Sequence, residues 1–333
     1  MKTKIAIFAL LAATTGLHAQ TSPLHSPGNQ VNITADAALE GTETATVRRA
    51  YIDNGTVTLS GSSSWTLTDA LYVGTTSGPN RGTLTIQDNA LLVDARDNTI
   101  NRTTMRAFGT LNLLGGTLVT NGFYFQSPPG TLNLNGGTIR AASAAYSSNF
   151  FQFFSGSSDL AIGKNGFTFD TNGFNITAQN KFTGDGGITK TGAGTLTMSG
   201  ANTFKGDIAV RQGTLNFSNG FTLSDNDIIF TLNNNGICGK IAGKLTFTGE
   251  TTVYLDFATD FDFSLNDYTY QLFTGNLIGD LNFASSDPHW TVNVLSFGGG
   301  TLKFELNAVP EPSTCLLLLG GAGALALRRR RVA

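Results

Sequence analysis

The chain has 333 residues, with 40 glycines, 24 phenylalanines, 8 prolines and only 13% charged residues. Little charge and much glycine would suit a disordered chain, but disordered chains are poor in aromatics, so the phenylalanines argue for a packed core. The net charge is −2, and the body has no basic cluster longer than Arg48-Arg49, which excludes nucleic acid, whose binding rests on Lys and Arg neutralising phosphates.

Lys2 and Lys4 precede an apolar stretch from Ile5 to Ala13, and Leu17-His18-Ala19 precedes Gln20. A basic start, a short apolar segment and a small residue at the end read as a secretory signal peptide over 1–19, cut between Ala19 and Gln20. Leu17 is bulkier than the small residue usual three before a cut. Export by the Sec machinery follows, and the body lies outside the cytoplasm. Residues 20–46 are polar with scattered proline and form a lead-in or N-terminal cap.

Residues 47–247 read as the solenoid rungs, and along the body one tripeptide keeps returning. Gly-Thr-Leu begins at Gly82, Gly109, Gly116, Gly130, Gly194, Gly213 and Gly300. Several copies continue as an alternation, such as Thr83-Leu84-Thr85-Ile86 and Thr131-Leu132-Asn133-Leu134. An apolar residue every second position marks a half-buried strand, and the preceding glycine supplies a backbone turn that other residues resist. Gly-Thr-Leu-Asn-Leu-x-Gly-Gly-Thr occurs at Gly109 and again at Gly130, as two short strands hinged by glycine. Such a unit buries its apolar edge only by stacking on the next. The expected fold is all-β, a parallel β-helix or β-solenoid, with Asn and Thr in ladders along the stack and Phe and Leu in columns inside it. Phe150-Phe151-Gln152-Phe153-Phe154 breaks the rhythm and reads as core packing or a loop folded over the helix. The clearest repeat is 192–217, which includes Gly194-Thr195-Leu196-Thr197-Met198-Ser199-Gly200-Ala201-Asn202-Thr203-Phe204 and Gly213-Thr214-Leu215-Asn216-Phe217. It resembles the autotransporter-associated β-strand repeat, with Lys205-Gly206-Asp207-Ile208 where that family usually carries Gly-Gly-Thr-Thr. The resemblance implies a rung of a passenger β-helix with no catalytic residues of its own. No series of long alternating strands of the kind that builds a membrane barrel is expected near the C-terminus.

Residues 248–308 read as longer strands, at Thr252 to Phe257, Phe261-Asp262-Phe263, Tyr268 to Phe273 and Thr291 to Val294. They are expected to form antiparallel hairpins that cap the solenoid, whose open end would otherwise present unpaired edges. The segment 309–333 has three parts: Pro310-Glu311-Pro312, an apolar run from Thr314 to Leu327, and Arg328-Arg329-Arg330-Arg331. The run lets the chain sit in a membrane and the arginines hold its end on the cytoplasmic side. Its fourteen residues fall short of the roughly 20 that a stable span needs, and Gly320, Gly321 and Gly323 weaken it further as a helix. This suits a transient anchor. The tripartite tail resembles the PEP-CTERM sorting signal. That resemblance implies a partner, an exosortase-like membrane protease, cutting near Pro310-Glu311-Pro312, and then delivery to the cell surface or extracellular matrix.

The search for chemistry finds little. Without the six basic residues and one acid of the two end signals, 15 basic and 22 acidic residues remain. Cys315 lies in the tail, so Cys238 has no internal disulfide partner and reads as a small buried filler. His289 stands beside Trp290 in a loop, and no His, Cys and carboxylate set has zinc-like spacing. Asp260 and Asp262 alternate with Phe261, so they would share one strand face, either as paired acids for work on a sugar or as a solvated face. Arg96, Arg102 and Arg106 with Asp94 and Asp97 form the densest charged stretch, either a sugar contact or a salted surface loop. No catalytic residue, metal or cofactor is expected. The function expected is structural or adhesive, with an extracellular polysaccharide as the partner that repeated Asn and Thr would suit. The alternative is a polysaccharide lyase or hydrolase on a β-helix scaffold.

Overall fold

A computed structural model describes residues 26–76, 80–94, 102–155, 159–234, 238–265 and 267–310. Every regular element among them is a β-strand. The alternation seen in the sequence becomes three parallel sheets that share one core. In the longest sheet, Thr44–Ile52, Ser64–Val73, Leu91–Asp94, Thr117–Thr120, Thr138–Ala141 and Phe167–Asp170 pair in turn, all parallel. Ile188–Thr191, Ile208–Val210, Ile228–Leu232, Thr252–Phe257 and Asn282–Ser285 continue it. The two Gly-Thr-Leu-Asn-Leu units stack as expected: Thr110–Leu113 and Thr131–Leu134 pair in a second sheet, while Thr117–Thr120 and Thr138–Ala141 pair in the first. Glycine turns the corner between them.

Turn length varies while register holds. Partners are 20 residues apart at Ile208↔Ile228 and 30 apart at Thr138↔Thr168. The excess is accommodated at the corners, so the inward column is unbroken: Trp65, Leu92, Leu118, Ile139, Phe169, Lys190, Val210, Phe230 and Leu255 are successive register partners, all buried. One step is narrow, because Thr131–Leu134 and Leu160–Ile162 share the single pair Leu134↔Ile162.

Phenylalanines crowd the core between about residues 123 and 182. Phe150 and Phe151 are buried, and the Phe151 ring lies 5.2 Å from Phe123 and 5.7 Å from Phe182. Core packing is therefore the right reading of that cluster, except at exposed Phe154. Lys190 is a buried member of the inward column. Its stem lies in the apolar column, and its Nζ donates to the Thr171 hydroxyl and the carbonyls of Thr191, Gly192 and Gln212 at 2.6–3.2 Å. It therefore ties the corners of successive turns together. Burial brings its pKa down to about 8. The repeat's Asn202 is buried at another corner, accepting from the Phe182 N–H at 2.9 Å and donating to the Gly200 carbonyl at 3.0 Å.

The motif glycines serve two purposes. Gly116, Gly213 and Gly300 have φ of 61°, 72° and 78°, as a glycine turn requires. Gly82 and Gly194 have ordinary φ, but a Cβ there would stand 1.8 Å from the Ile52 carbonyl oxygen and 1.9 Å from that of Phe174. Those two positions need glycine because the adjacent turn's backbone occupies the space.

Near the C-terminal end the parallel ladder runs on past residue 247 to Asn282–Ser285. The antiparallel part is a three-stranded sheet of Tyr268–Gln271, Trp290–Gly298 and Thr301–Ala308. It buries Tyr268, Tyr270, Leu302 and Phe304 over the end of the core. Asp260-Phe261-Asp262 is a turn and not a strand. Phe261 points into the core, while Asp262 accepts from the Ser264 N–H at 2.9 Å and its hydroxyl at 2.6 Å. The two acids therefore do not share a strand face. Pro310 is described; Ala19, Gln20, Glu311, Pro312, the run from Thr314 to Leu327, and Arg328, Arg329, Arg330 and Arg331 lie outside the described residues. Among the described residues no helix is long and apolar enough to cross a membrane.

Candidate functional site: a tyrosine–arginine column

Beside the main line of the longest sheet, the chain makes a second set of rungs from Thr44–Ile52, Ser64–Val73, Thr103–Met105, Phe123–Phe125 and Phe151–Phe153. Tyr51, Tyr72, Thr104, Tyr124 and Gln152 are successive register partners there. Their chain neighbours Ile52, Val73, Met105, Phe123 and Phe151 are buried, so the period of two turns this column outward. All of it but Thr104 is half-exposed.

Arginines lie on the aromatic rings. The Tyr51 and Tyr72 rings stack at 4.6 Å with 6° between planes. The Arg106 guanidinium lies 4.2 Å from the Tyr72 centroid and 5.2 Å from that of Tyr51. One step along, Arg102 is 4.1 Å from Tyr146 and 4.8 Å from Tyr124, and it donates to Gln152 Oε1. Cation–π contact holds both guanidinium groups against the rings. At the near end Arg48 and Arg49 both pair with Asp69, Arg48 at 2.7 Å. Burial raises the Tyr72 hydroxyl above its usual pKa, with Tyr51 beside it adding to the effect. Burial also raises Asp53, against the pull of Arg106.

The charged stretch read from the sequence is thus split. Arg102 and Arg106 join the column, Arg96 and Asp97 lie outside the described residues, and Asp94 faces inward. Asp94 accepts from the Thr103 hydroxyl at 2.7 Å, and Thr103 meets the Thr120 hydroxyl at 3.0 Å. Burial pushes the Asp94 carboxyl up to about 7, against the Thr103 hydrogen bond. A carboxyl whose folded pKa exceeds its unfolded value of 3.8 binds its proton more tightly in the native state. It contributes stability that is full below the unfolded pKa and lost as pH rises through about 7. Asp94→Asn should therefore flatten the decline in melting temperature between about pH 4 and pH 8. An unchanged slope in pH-dependent thermal denaturation would assign the decline to other groups.

Elsewhere, Cys238 is buried, donates to the Gln271 carbonyl at 3.6 Å, and has its pKa raised to about 11 by burial. His289 is exposed, with Nδ1 2.7 Å from Asp287 Oδ1. Among the described residues no three His, Cys, Asp or Glu side chains converge on a metal position. The column can therefore offer tyrosine edges and hydroxyls with guanidinium donors beside them, on rungs spaced about 4.8 Å apart.

Comparisons with known proteins bear on the repeat and the tail. The passenger-associated-transport-repeat family model matches residues 188–217, and the PEP-CTERM protein-sorting motif matches residues 308–331. An extracellular serine protease of Serratia marcescens is 58% identical over 36 residues, which make up 11% of this chain and 3% of that protein. The chain thus spans a very small part of the curated relative it matches. The sorting motif and the passenger repeat, carried on a parallel β-solenoid, mark an exported, cell-surface β-helix protein.

Proposed function

We propose that this exported β-solenoid is a structural and adhesive protein of the cell surface or extracellular matrix, and that its tyrosine–arginine column holds an extracellular polysaccharide. The column carries this reading. The half-exposed tyrosines offer ring edges and hydroxyls to sugar hydroxyls, and the guanidinium groups of Arg102 and Arg106 offer fork-shaped donors to hydroxyls and carboxylates. The rung spacing is close to the length of one sugar residue, so successive rungs can meet successive sugars. No activity passes to this chain from the serine protease, whose match is confined to 36 residues.

The binding test mixes the mature protein with the extracellular polysaccharide of its host and separates the mixture by size, following sugar and protein separately. Co-elution with an unchanged sugar profile is expected. Tyr72→Ala and Arg106→Ala should each weaken binding roughly ten-fold, about 1.4 kcal/mol. Equal binding by both variants would remove the column from the interaction. A shift of the sugar to smaller sizes would favour the lyase or hydrolase alternative.

Delivery is part of the same proposal. An exosortase-like membrane protease cuts near Pro310-Glu311-Pro312 while the apolar run holds the chain in the membrane and Arg328 to Arg331 stop its passage. Replacing Pro310, Glu311 and Pro312 by alanine should leave unprocessed protein in the membrane fraction. Normal release of that variant, followed by immunoblot, would refute the sorting role of these residues.

A further inference from the structure

The body ends at one corner of the terminal antiparallel sheet. Thr301–Ala308 is the middle strand, Ala308 stands opposite Trp290, and the Val309 N–H donates to the His289 carbonyl at 2.8 Å. The Phe263 ring stacks on Trp290 at 4.9 Å with 16° between planes. Phe263, Leu265 and Val309 are 36%, 52% and 42% exposed. Apolar side chains that the rest of the molecule would bury are therefore gathered where the chain leaves the fold.

The length of chain beyond this corner decides what meets it. Four steps separate Pro310 from Thr314, where the apolar run begins. Fully extended, they reach about 14 Å. A body tethered that closely to a segment lying in hydrocarbon has its exit corner in or against the headgroup layer. Tryptophan favours that layer, because its ring is apolar at one end and polar at the other. We infer that Phe263, Leu265, Trp290 and Val309 form a lipid-facing seat that rests on the bilayer surface while the tail is inserted. This rests on the reading of the tail as a membrane anchor.

The charged groups around the seat choose the lipid. Asp260, Asp262, Asp287 and His289 are the titratable side chains nearest to Phe263 and Trp290 in the chain. The Ser264 hydroxyl and N–H hold Asp262 below the usual carboxylate range, and the His289 N–H and ring do the same for Asp287. Both stay ionised at the rim, so the seat fits a zwitterionic surface better than an anionic one.

The test uses the full chain reconstituted into phosphatidylcholine vesicles, with or without bromine on the upper part of the acyl chains. The chain has two tryptophans. Trp65 is fully buried in the core, and subtracting the spectrum of Trp290→Phe isolates Trp290. Brominated lipid should quench Trp290 emission roughly two-fold, as for a ring at the membrane interface. The double variant Phe263→Asp/Leu265→Asp should still float with the vesicles but lose most of that quenching. Flotation with unquenched Trp290 would overturn the seat and leave the anchor standing. Failure of the wild-type chain to float would overturn the anchor, and the seat with it. If the double variant does not fold, the wild-type quenching decides alone.

Discussion

Gly82→Val is expected to cost about 3–5 kcal/mol and to open the N-terminal turns of the solenoid. Gly82 begins strand Gly82–Ile86 and pairs with Gly55 of the preceding turn. Any Cβ would lie 1.8 Å from the Ile52 carbonyl oxygen, and backbone cannot step aside as a flexible side chain can. The two turns must separate there, with loss of ladder hydrogen bonds on both sides. Because each turn contacts chiefly its neighbours, the damage should be local. Hydrogen exchange should show lost protection in 44–94 and retained protection beyond about residue 180. Gly298→Ala is the control, because nothing lies within 4 Å of the added Cβ. Wild-type protection throughout the Gly82 variant would show that the turns can part without cost.

Phe151→Ala is expected to cost about 3–5 kcal/mol, the range for deleting a buried aromatic ring. The ring is 1% exposed and meets Phe123 face to face, with Phe150 and Phe182 edge-on at 5.2 and 5.7 Å. These rings come from three successive turns, so the surroundings cannot collapse into the cavity without shifting all of them. Phe154→Ala, at a ring 69% exposed, should leave the midpoint of urea denaturation unchanged. Equal midpoints for the two variants would mean that this cluster does not hold the turns together.

The architecture was legible because it is written locally. Thr110-Leu111-Asn112-Leu113 and Thr131-Leu132-Asn133-Leu134 each declare a strand, and the glycines after them declare the corner. The candidate site was much less legible. Tyr51, Tyr72, Thr104, Tyr124 and Gln152 are separated by unequal stretches of chain, and only the pairing register makes them neighbours. Arg102 and Arg106 drew attention as charge, but the rings they lie on could not be assigned to them. Lys190 escaped notice because a lysine in an alternating strand is read as outward-facing, whereas four acceptors at a corner draw its Nζ through the core. Asp260 and Asp262 misled for the opposite reason. Alternation with phenylalanine looks like a strand over three residues, but the Asp262–Ser264 hydrogen bonds favour a turn.

The narrow step between Thr131–Leu134 and Leu160–Ile162 sets the behaviour of the molecule under tension. In a solenoid the ladder hydrogen bonds run along the axis, so a pull between its two ends passes through every interface in series. Each joint carries the whole load, and the weakest parts first. With the second sheet reduced there to Leu134↔Ile162, most of the resistance falls to Thr138↔Thr168, Ile139↔Phe169 and Arg140↔Asp170 in the longest sheet and to the edge-on contacts of Phe150 and Phe151 with Phe169 beside them. A surface filament built this way would yield near its middle, leaving the turns on either side intact to close again when the strain is released.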